Sequence, residues 1–234
     1  MQPMIAIRNL SYTYPDGKQA LRGIDLSVQP GEKIALVGAN GAGKSTLLLH
    51  LNGFFTGSGS IHVNGLPVEK ANLGRIRALV GVVFQNPDDQ LFSSTVYEDV
   101  AYGPIYQGFS TAEVQEKVTR ALAAVHMDDY PARNPYHLSG GEKKRIAIAA
   151  VLSMQPEILV FDEPTAGLDP RSRRELINLL HELPQTMLIA THDLPLVEQL
   201  TPRTVILNHG AIAADGPSRH ILRDERLLEE NGLC

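Results

Sequence analysis

Gly38-Ala39-Asn40-Gly41-Ala42-Gly43-Lys44-Ser45-Thr46 gathers glycines, a lysine and two hydroxyls in one short run. The spacing is glycine, four residues, then Gly-Lys-Ser. Glycines let the backbone curl until successive N–H groups point at one anion. A helix opening at Lys44 would add the favourable potential of its N-terminus. Lys44 can then reach the outer phosphates of a nucleotide, and the Ser45 hydroxyl can ligate Mg²⁺. Average residue usage gives about a one per cent chance of this pattern in a chain of such length. The segment therefore reads as a phosphate loop rather than a glycine turn with a chance lysine.

Ile158-Leu159-Val160-Phe161-Asp162-Glu163 is an apolar run ending in two carboxylates. Taken alone, it is more often a solvated acidic turn after a core strand. Beside a phosphate loop it acquires chemistry: Asp162 would hold Mg²⁺ through water, and Glu163 would polarise an attacking water. A third segment, Leu138-Ser139-Gly140-Gly141-Glu142, precedes a helical pattern. Its hydroxyl and glycine N–H groups can form a second anion-binding helix terminus.

Such groups need strands that deliver them to one edge. Ile34–Val37 is a short apolar run with polar residues before it and glycines after, the pattern of a buried strand. Lys44–Leu51 follows with helical spacing and stops at Asn52-Gly53. Ile5–Leu10 and Leu21–Val28 alternate as half-buried strands, and Gly57, Gly59, Gly65 and Pro67 surround short antiparallel strands near Ser60–Val63. Val80–Phe84 reads as another buried strand. Helical character then takes over. Ser110 and Glu113 form a capping-box pattern, and Val114, Val118, Ala121, Leu122 and Val125 make one face. After the breaks at Pro131 and Pro135 a further helix is predicted over Gly141–Ser153. Strands return at Ile158–Phe161 and Met187–Ala190, separated by a helix opening at Asp169-Pro170. Thr204–Leu207 and Ala211–Ala213 flank a turn at Asn208-His209-Gly210, and Ser218–Glu230 predicts one last helix closed by Asn231-Gly232. Strands alternating with helices give an α/β fold with a mainly parallel core sheet.

The chain has 234 residues, 43% hydrophobic and 20% charged, which is ordinary globular usage and excludes disordered and fibrous classes. Its net charge of −5, from 21 basic and 26 acidic residues, argues against nucleic acid as a partner. The lone Cys234 excludes an internal disulfide and a cysteine-based zinc site. No signal-peptide pattern is read at the N-terminus. The longest apolar stretch, Ile146–Leu152, is far short of the roughly 18–20 residues that span a bilayer. Work at a membrane would therefore need other chains.

Leu138–Glu142 is the pentapeptide by which the chain resembles the ATP-binding-cassette (ABC) ATPases, and the resemblance runs from about residue 4 to 216 with the motifs in family order. By that resemblance Gln85 is the Q-loop glutamine, Ala166-Gly167-Leu168-Asp169 the D-loop, and His192 the switch histidine. Tyr14 is the aromatic that stacks on adenine, with Tyr12 as its competitor. The resemblance implies a P-loop NTPase fold in a single ABC domain, 1–234. Residues 1–86 and 156–217 would form a RecA-like core with an antiparallel β subdomain. Residues 87–155 would be an inserted helical subdomain, and 218–234 a short tail. It implies two copies facing head to tail, with ATP between the phosphate loop of one and Ser139, Gly140 and Gly141 of the other. Asp169 would lie at the dimer contact. Glu163, His192 and Gln85 would be catalytic, and Ser45, Gln85 and Asp162 would hold Mg²⁺. Lys143 and Lys144 are expected to lie on a solvated helix face.

Phe84-Gln85-Asn86-Pro87-Asp88-Asp89-Gln90-Leu91-Phe92, Tyr12–Gly17 and Ala166-Gly167 resemble the ATPases of energy-coupling-factor (ECF) transporters, chiefly the cobalt and nickel type. In that family the ATPase sits peripherally on the cytoplasmic face of the inner membrane, on an integral-membrane scaffold with a substrate-capture subunit. Asp88, Gln90, Leu91 and Phe92 would line the groove that the scaffold enters. For Leu91 and Phe92, burial at the start of a core helix is the competing reading. A vitamin importer and a soluble ABC ATPase outside transport are the alternatives; a P-loop kinase would lack Leu138–Glu142. The eight histidines show no H-x-x-H pair, so no site for a transported metal is expected in this chain. A regulatory C-terminal domain is not expected either.

Overall fold

The computed structural model describes residues 2–233; Met1 and the chain's one cysteine, Cys234, lie outside them. Alternating side chains build the first sheet. β1 (Ile5–Thr13) and β2 (Gln19–Val28) pair antiparallel, and Ile5, Ile7 and Leu10 share a core with Leu21, Ile24, Leu26 and Val28. β3 (Lys33–Val37), buried from Ile34 onward, leads through the glycine loop into α1 (Lys44–Leu51). β4 (Ser58–Val63) returns to β1, and the short β5 (Leu66–Pro67) completes the order β2-β1-β4-β5. α2 (Leu73–Leu79) then enters β6 (Val80–Val83). Phe84, expected to end that strand, lies beyond it with an exposed ring. Its N–H is taken by the Gln90 side chain instead of a ladder partner.

Three helices follow, α3 (Val96–Tyr106), α4 (Thr111–Ala124) and α5 (Gly140–Leu152). Each opens on a reciprocal capping box: Thr95 with Glu98, Ser110 with Glu113, Ser139 with Glu142. The hydroxyl satisfies an orphan N–H of the first turn and the glutamate satisfies the cap's own N–H.

The second sheet resumes with β7 (Ile158–Asp162), α6 (Pro170–Glu182), β8 (Thr186–Ala190), α7 (Leu194–Leu200), β9 (Arg203–Asn208) and β10 (Ala211–Pro217). Its order is β10-β9-β3-β8-β7-β6, parallel except for the β9-β10 hairpin. Period-two alternation buries both faces. Ile34, Leu36, Ile158, Val160 and Leu188 pack with α1 and the small sheet, whereas Leu159, Phe161, Met187 and Ile189 pack with α3, α4 and α5. The single C-terminal helix expected over 218–230 is instead two, α8 (Ser218–Ile221) and α9 (Glu225–Glu230). Asp224 makes the break, because its carboxylate accepts the Leu227 N–H at 3.0 Å and caps a new helix. The break lets both Ile221 and Leu228 reach Val37, Val197 and Ile206.

Candidate active site

Parallel register sets the carboxyl ends of four strands side by side: Leu36 lies level with Ala190, Ala190 with Asp162, and Phe161 with Val83. The loops leaving those ends carry the phosphate loop, His192, Asp162–Glu163 and Gln85. Open α/β sheets bind ligands at this edge. Here the loops enclose a cleft of about 330 Å³. Of the residues singled out in the sequence, Tyr14, Asn40, Gly41, Gly43, Lys44, Ser45, Thr46, Gln85, Asp162, Glu163 and His192 line it. Lys18, in the β1–β2 turn, and Ala20, at the start of β2, border it as well; no sequence pattern marks them. Gly38, Ala39 and Ala42 complete the loop without lining the cleft.

Two of the glycines of this loop, Gly38 and Gly43, leave no room for a side chain. Gly43 has φ 107°, and a Cβ there would lie 2.6 Å from the Ala20 carbonyl oxygen. A Cβ at Gly38 would meet the Leu207 carbonyl oxygen at 2.3 Å. Lys44 is buried; its Nζ donates to the carbonyls of Gly38 (2.7 Å) and Ala39 (3.4 Å) and stands 4.0 Å from Glu163 Oε1. Lys44 thus brings a cation to the cleft that Asn40, Gly41 and Gly43 also line. Tyr14, not Tyr12, borders it: the Tyr14 hydroxyl shares a hydrogen bond with Thr46 Oγ1 at 2.7 Å, while Tyr12 packs against His50 and Phe55.

Burial pushes the Asp162 carboxyl above its ordinary range, against the opposing pull of a hydrogen bond from the Ser45 hydroxyl. A carboxylate and a hydroxyl in contact are the hard oxygen donors that Mg²⁺ takes, so these two residues fit that ion. Gln85 stands at the exposed rim of the cleft. Glu163 is buried and held in the left-handed region, φ 47°, a conformation that costs a side-chain-bearing residue about 1–2 kcal/mol. Its neighbours fix that turn. Glu163 N–H donates to the Ala190 carbonyl at 2.8 Å. Its Oε2 accepts from Thr191 Oγ1 (3.2 Å) and His192 N–H (3.3 Å), with His192 Nδ1 at 2.9 Å. The last contact is a hydrogen bond when Nδ1 carries a proton.

The loop bearing His192 is anchored by residues that no linear motif marks. Arg173, on α6, donates twice to Asp193, at 2.7 and 2.6 Å, and Thr165 Oγ1 donates to the same carboxylate at 2.9 Å. Asp193 also caps α7 through the Leu196 N–H. The Asp-x-Pro spelling at 193–195, a helix-start signal, was the available sequence cue.

Two expectations for the helical segment are corrected. Lys143 and Lys144 do not lie on a solvated face. Lys143 pairs with Asp88 at 2.7 Å. Lys144 is 4% exposed and donates to the Gln85 carbonyl at 2.7 Å and the Glu163 carbonyl at 3.3 Å. Burial lowers its pKa, and the charges of Glu163 and Asp162 oppose that shift. Leu91 does not line a groove: it is 3% exposed and packs with Val96, Val100 and Ile146, since an apolar side chain just ahead of α3 gains most in that core. Gln90 is spent internally, its Nε2 donating to the Ala147 carbonyl at 2.7 Å. Asp88 and Phe92 are exposed.

A family model described as "ABC transporter" matches residues 21–166. An energy-coupling factor transporter ATP-binding protein, EcfA, of Methanothermobacter thermautotrophicus is 50% identical over 98% of this chain and 76% of its own. The chain belongs to the ABC transporter family. It is an ATPase. Among solved structures, this ABC ATPase is similar to CbiO1 from Clostridium perfringens, described as part of the ABC transporter complex cbiONQ. The TM-score is 0.88 at 35% identity, covering 100% of this chain and 96% of that one. It is also similar to an ATP-binding cassette in a dimeric post-hydrolysis state with ADP and Pi, with TM-score 0.82 and 26% identity over 92% and 99% of the two chains.

In this ABC ATPase the signature terminus stands apart from the cleft: Ser139, Gly140, Gly141 and Asp169 do not line it. The terminus is nonetheless rigidly made. Ser139 N–H and Oγ both donate to Glu142 Oε2 at 2.8 Å, and Tyr130 donates to Glu142 Oε1 at 2.7 Å. A Cβ on Gly141 would lie 2.8 Å from Ser172 on α6, whose first turn Asp169 caps. The signature and D-loop segments therefore share one surface.

Proposed function

We propose that this ABC ATPase powers an ECF-type importer for cobalt or nickel, acting as a head-to-tail pair of cassettes beneath integral-membrane scaffold and substrate-capture subunits. The observation that carries the paired arrangement is the separation just described. A capped helix terminus whose Ser139, Gly140 and Gly141 do not line the chain's own cleft is suited to another copy's nucleotide. The ECF assignment is supported by the likeness to EcfA, and the cargo by the resemblance of the Phe84–Phe92 segment to the cobalt- and nickel-type ATPases.

In the proposed mechanism, the loop N–H groups of 38–46 and the Lys44 ammonium bind the phosphates, and Tyr14 stacks on adenine. Ser45 and Asp162, with Gln85 beside them, would hold Mg²⁺, which when bound would neutralise phosphate charge. Glu163 accepts the proton of the attacking water. His192 and Thr191 fix the Glu163 carboxylate, and Arg173 and Asp193 fix His192. Ser139, Gly140 and Gly141 of the second copy close over the γ-phosphate, with Asp169 at the contact between copies. Base–aromatic stacking contributes about 1–3 kcal/mol, so Tyr14→Ala should raise the KM for ATP about 5- to 150-fold. Tyr12→Ala should instead lower the melting temperature. Steady-state kinetics and thermal unfolding of both variants check the assignment.

Among the described residues no helix is long and apolar enough to cross a membrane. A peripheral place at the cytoplasmic face of the inner membrane then requires a docking surface. Phe92 is 60% exposed and packs edge-on against Tyr102, and Ile105 and Tyr106 extend the apolar surface along α3, with Phe109 exposed just beyond its end. Asp99 holds the turn that presents Phe92, its Oδ1 accepting the N–H groups of Phe92 (3.0 Å) and Ser93 (2.9 Å). Exposed apolar surface of this kind marks a partner site. Co-purification with membrane subunits tests the proposal: the native chain should bring down a scaffold and a capture protein, and cells carrying the complex should accumulate cobalt or nickel. The double variant Phe92→Ser, Tyr106→Ser should lose the membrane subunits while melting at the parental temperature. Capture of a vitamin-binding subunit would replace the cargo, and a chain that purifies with no membrane protein would point to the soluble alternative.

A further inference from the structure

Lys144 is a buried ammonium, and among the described residues no carboxylate oxygen lies within 4.0 Å of its Nζ. Burying a cation without an ion partner is costly unless polar groups replace its water. The replacements here are two backbone carbonyls, of Gln85 at 2.7 Å and of Glu163 at 3.3 Å. Both belong to residues at the nucleotide cleft, and they sit at the ends of different strands, β6 and β7. The Glu163 carbonyl is available to Lys144 at a turn whose φ is 47°, a left-handed conformation for a residue with a side chain. That carbonyl also accepts the Ala166 N–H at 3.1 Å, so Lys144 is a second donor, the one that ties this strained peptide to α5. Lys144 itself sits in the second turn of α5, the helix that Ser139 opens. One side chain therefore joins the signature helix to the backbones that carry the Q-loop glutamine and the carboxylate at the end of β7.

We propose that Lys144 is a positioning residue for ATP hydrolysis, holding the Gln85 and Glu163 backbones in register with the signature helix through its two carbonyl contacts. The inference rests on the proposed catalytic role of Glu163. It does not require Lys144 to touch nucleotide. The expectation is a defect in turnover rather than in ATP binding, because a displacement near 1 Å at a reacting group can cost about 10²-fold in rate.

The experiment uses the full chain purified with its membrane partners. Lys144→Met keeps the length and removes the donors. Lys144→Gln keeps an N–H donor without the charge. At a temperature where all variants are folded by circular dichroism, Lys144→Met should lower kcat about tenfold or more with KM for ATP within about threefold of the parent. Lys144→Gln should recover most of that kcat. Parental kcat in Lys144→Met, or a raised KM with kcat intact, overturns the proposal. So does a Lys144→Gln protein no faster than Lys144→Met. Where the Met variant does not fold, Lys144→Ala takes its place in the same comparison. Glu163→Gln, run alongside, separates the two ideas. An active Glu163→Gln enzyme removes the underlying reading, whereas an inactive one beside a fully active Lys144→Met removes only this inference.

Discussion

Glu163→Gln is expected nearly to stop turnover while leaving ATP bound. The amide preserves the volume of a buried side chain, and its carbonyl oxygen can still accept from Thr191 Oγ1 and the His192 N–H. It cannot take a proton from water. General-base catalysis contributes about 10²–10⁴-fold, which sets the expected loss in kcat. The proposed paired arrangement adds a second readout. When the γ-phosphate is the bridge between two cassettes, its removal lets them part. A variant that binds ATP but does not cleave it should therefore accumulate as an ATP-dependent dimer in sedimentation or size-exclusion runs. Parental turnover in this variant would remove Glu163 as the base. Inactive protein that stays monomeric with saturating ATP would remove the shared site instead.

The parts of the site legible in the sequence are those whose chemistry is contiguous. The phosphate loop needs its glycines, lysine and hydroxyls in adjacent positions, because one turn of backbone must wrap one anion. The Asp162–Glu163 pair needs only a buried strand before it, and Ile158–Phe161 is visibly that. The signature segment carries both its own helix cap, Ser139 with Glu142, and its glycines. The α/β alternation followed from strand and helix periods in the same way.

What escaped was decided by distant neighbours. Lys143, Lys144 and Arg145 read as a charge run, yet α5 packs between the helical layer and the sheet, and that packing turns Lys144 inward toward two carbonyls. A local pattern cannot register this, because the compensating groups lie 59 and 19 residues away in the chain. Leu91 shows the converse. Its apolar type suits an interface or a core equally, and only the neighbouring helices choose the core. Arg173 and Asp193 look like ordinary helix charges until α6 and the loop after β8 are brought together. The tail misled through periodicity: the helical pattern over 218–230 spans a break that Asp224 imposes by capping Leu227.

Lys44→Ala should fail at the step that Glu163→Gln completes. Lys44 is buried, and it is the cationic group among the cleft-lining residues that stands 4.0 Å from the Glu163 carboxylate. Its ammonium also ties the loop to itself through the Gly38 and Ala39 carbonyls. Alanine at this position removes a charge-assisted contact to phosphate and leaves the Asp162 and Glu163 carboxylates facing an anionic ligand without it. A hydrogen bond to a charged group contributes about 1.5–3 kcal/mol, so ATP affinity should fall about 10- to 150-fold in calorimetry. The extra repulsion pushes the result toward the upper end. The two variants thus dissect the site: one binds and does not turn over, the other turns over little because it does not bind. Lys44→Ala should form no ATP-dependent dimer at nucleotide concentrations that saturate Glu163→Gln. Unchanged affinity in Lys44→Ala would mean that the loop N–H groups alone hold the phosphates, and the role given to this lysine would have to be withdrawn.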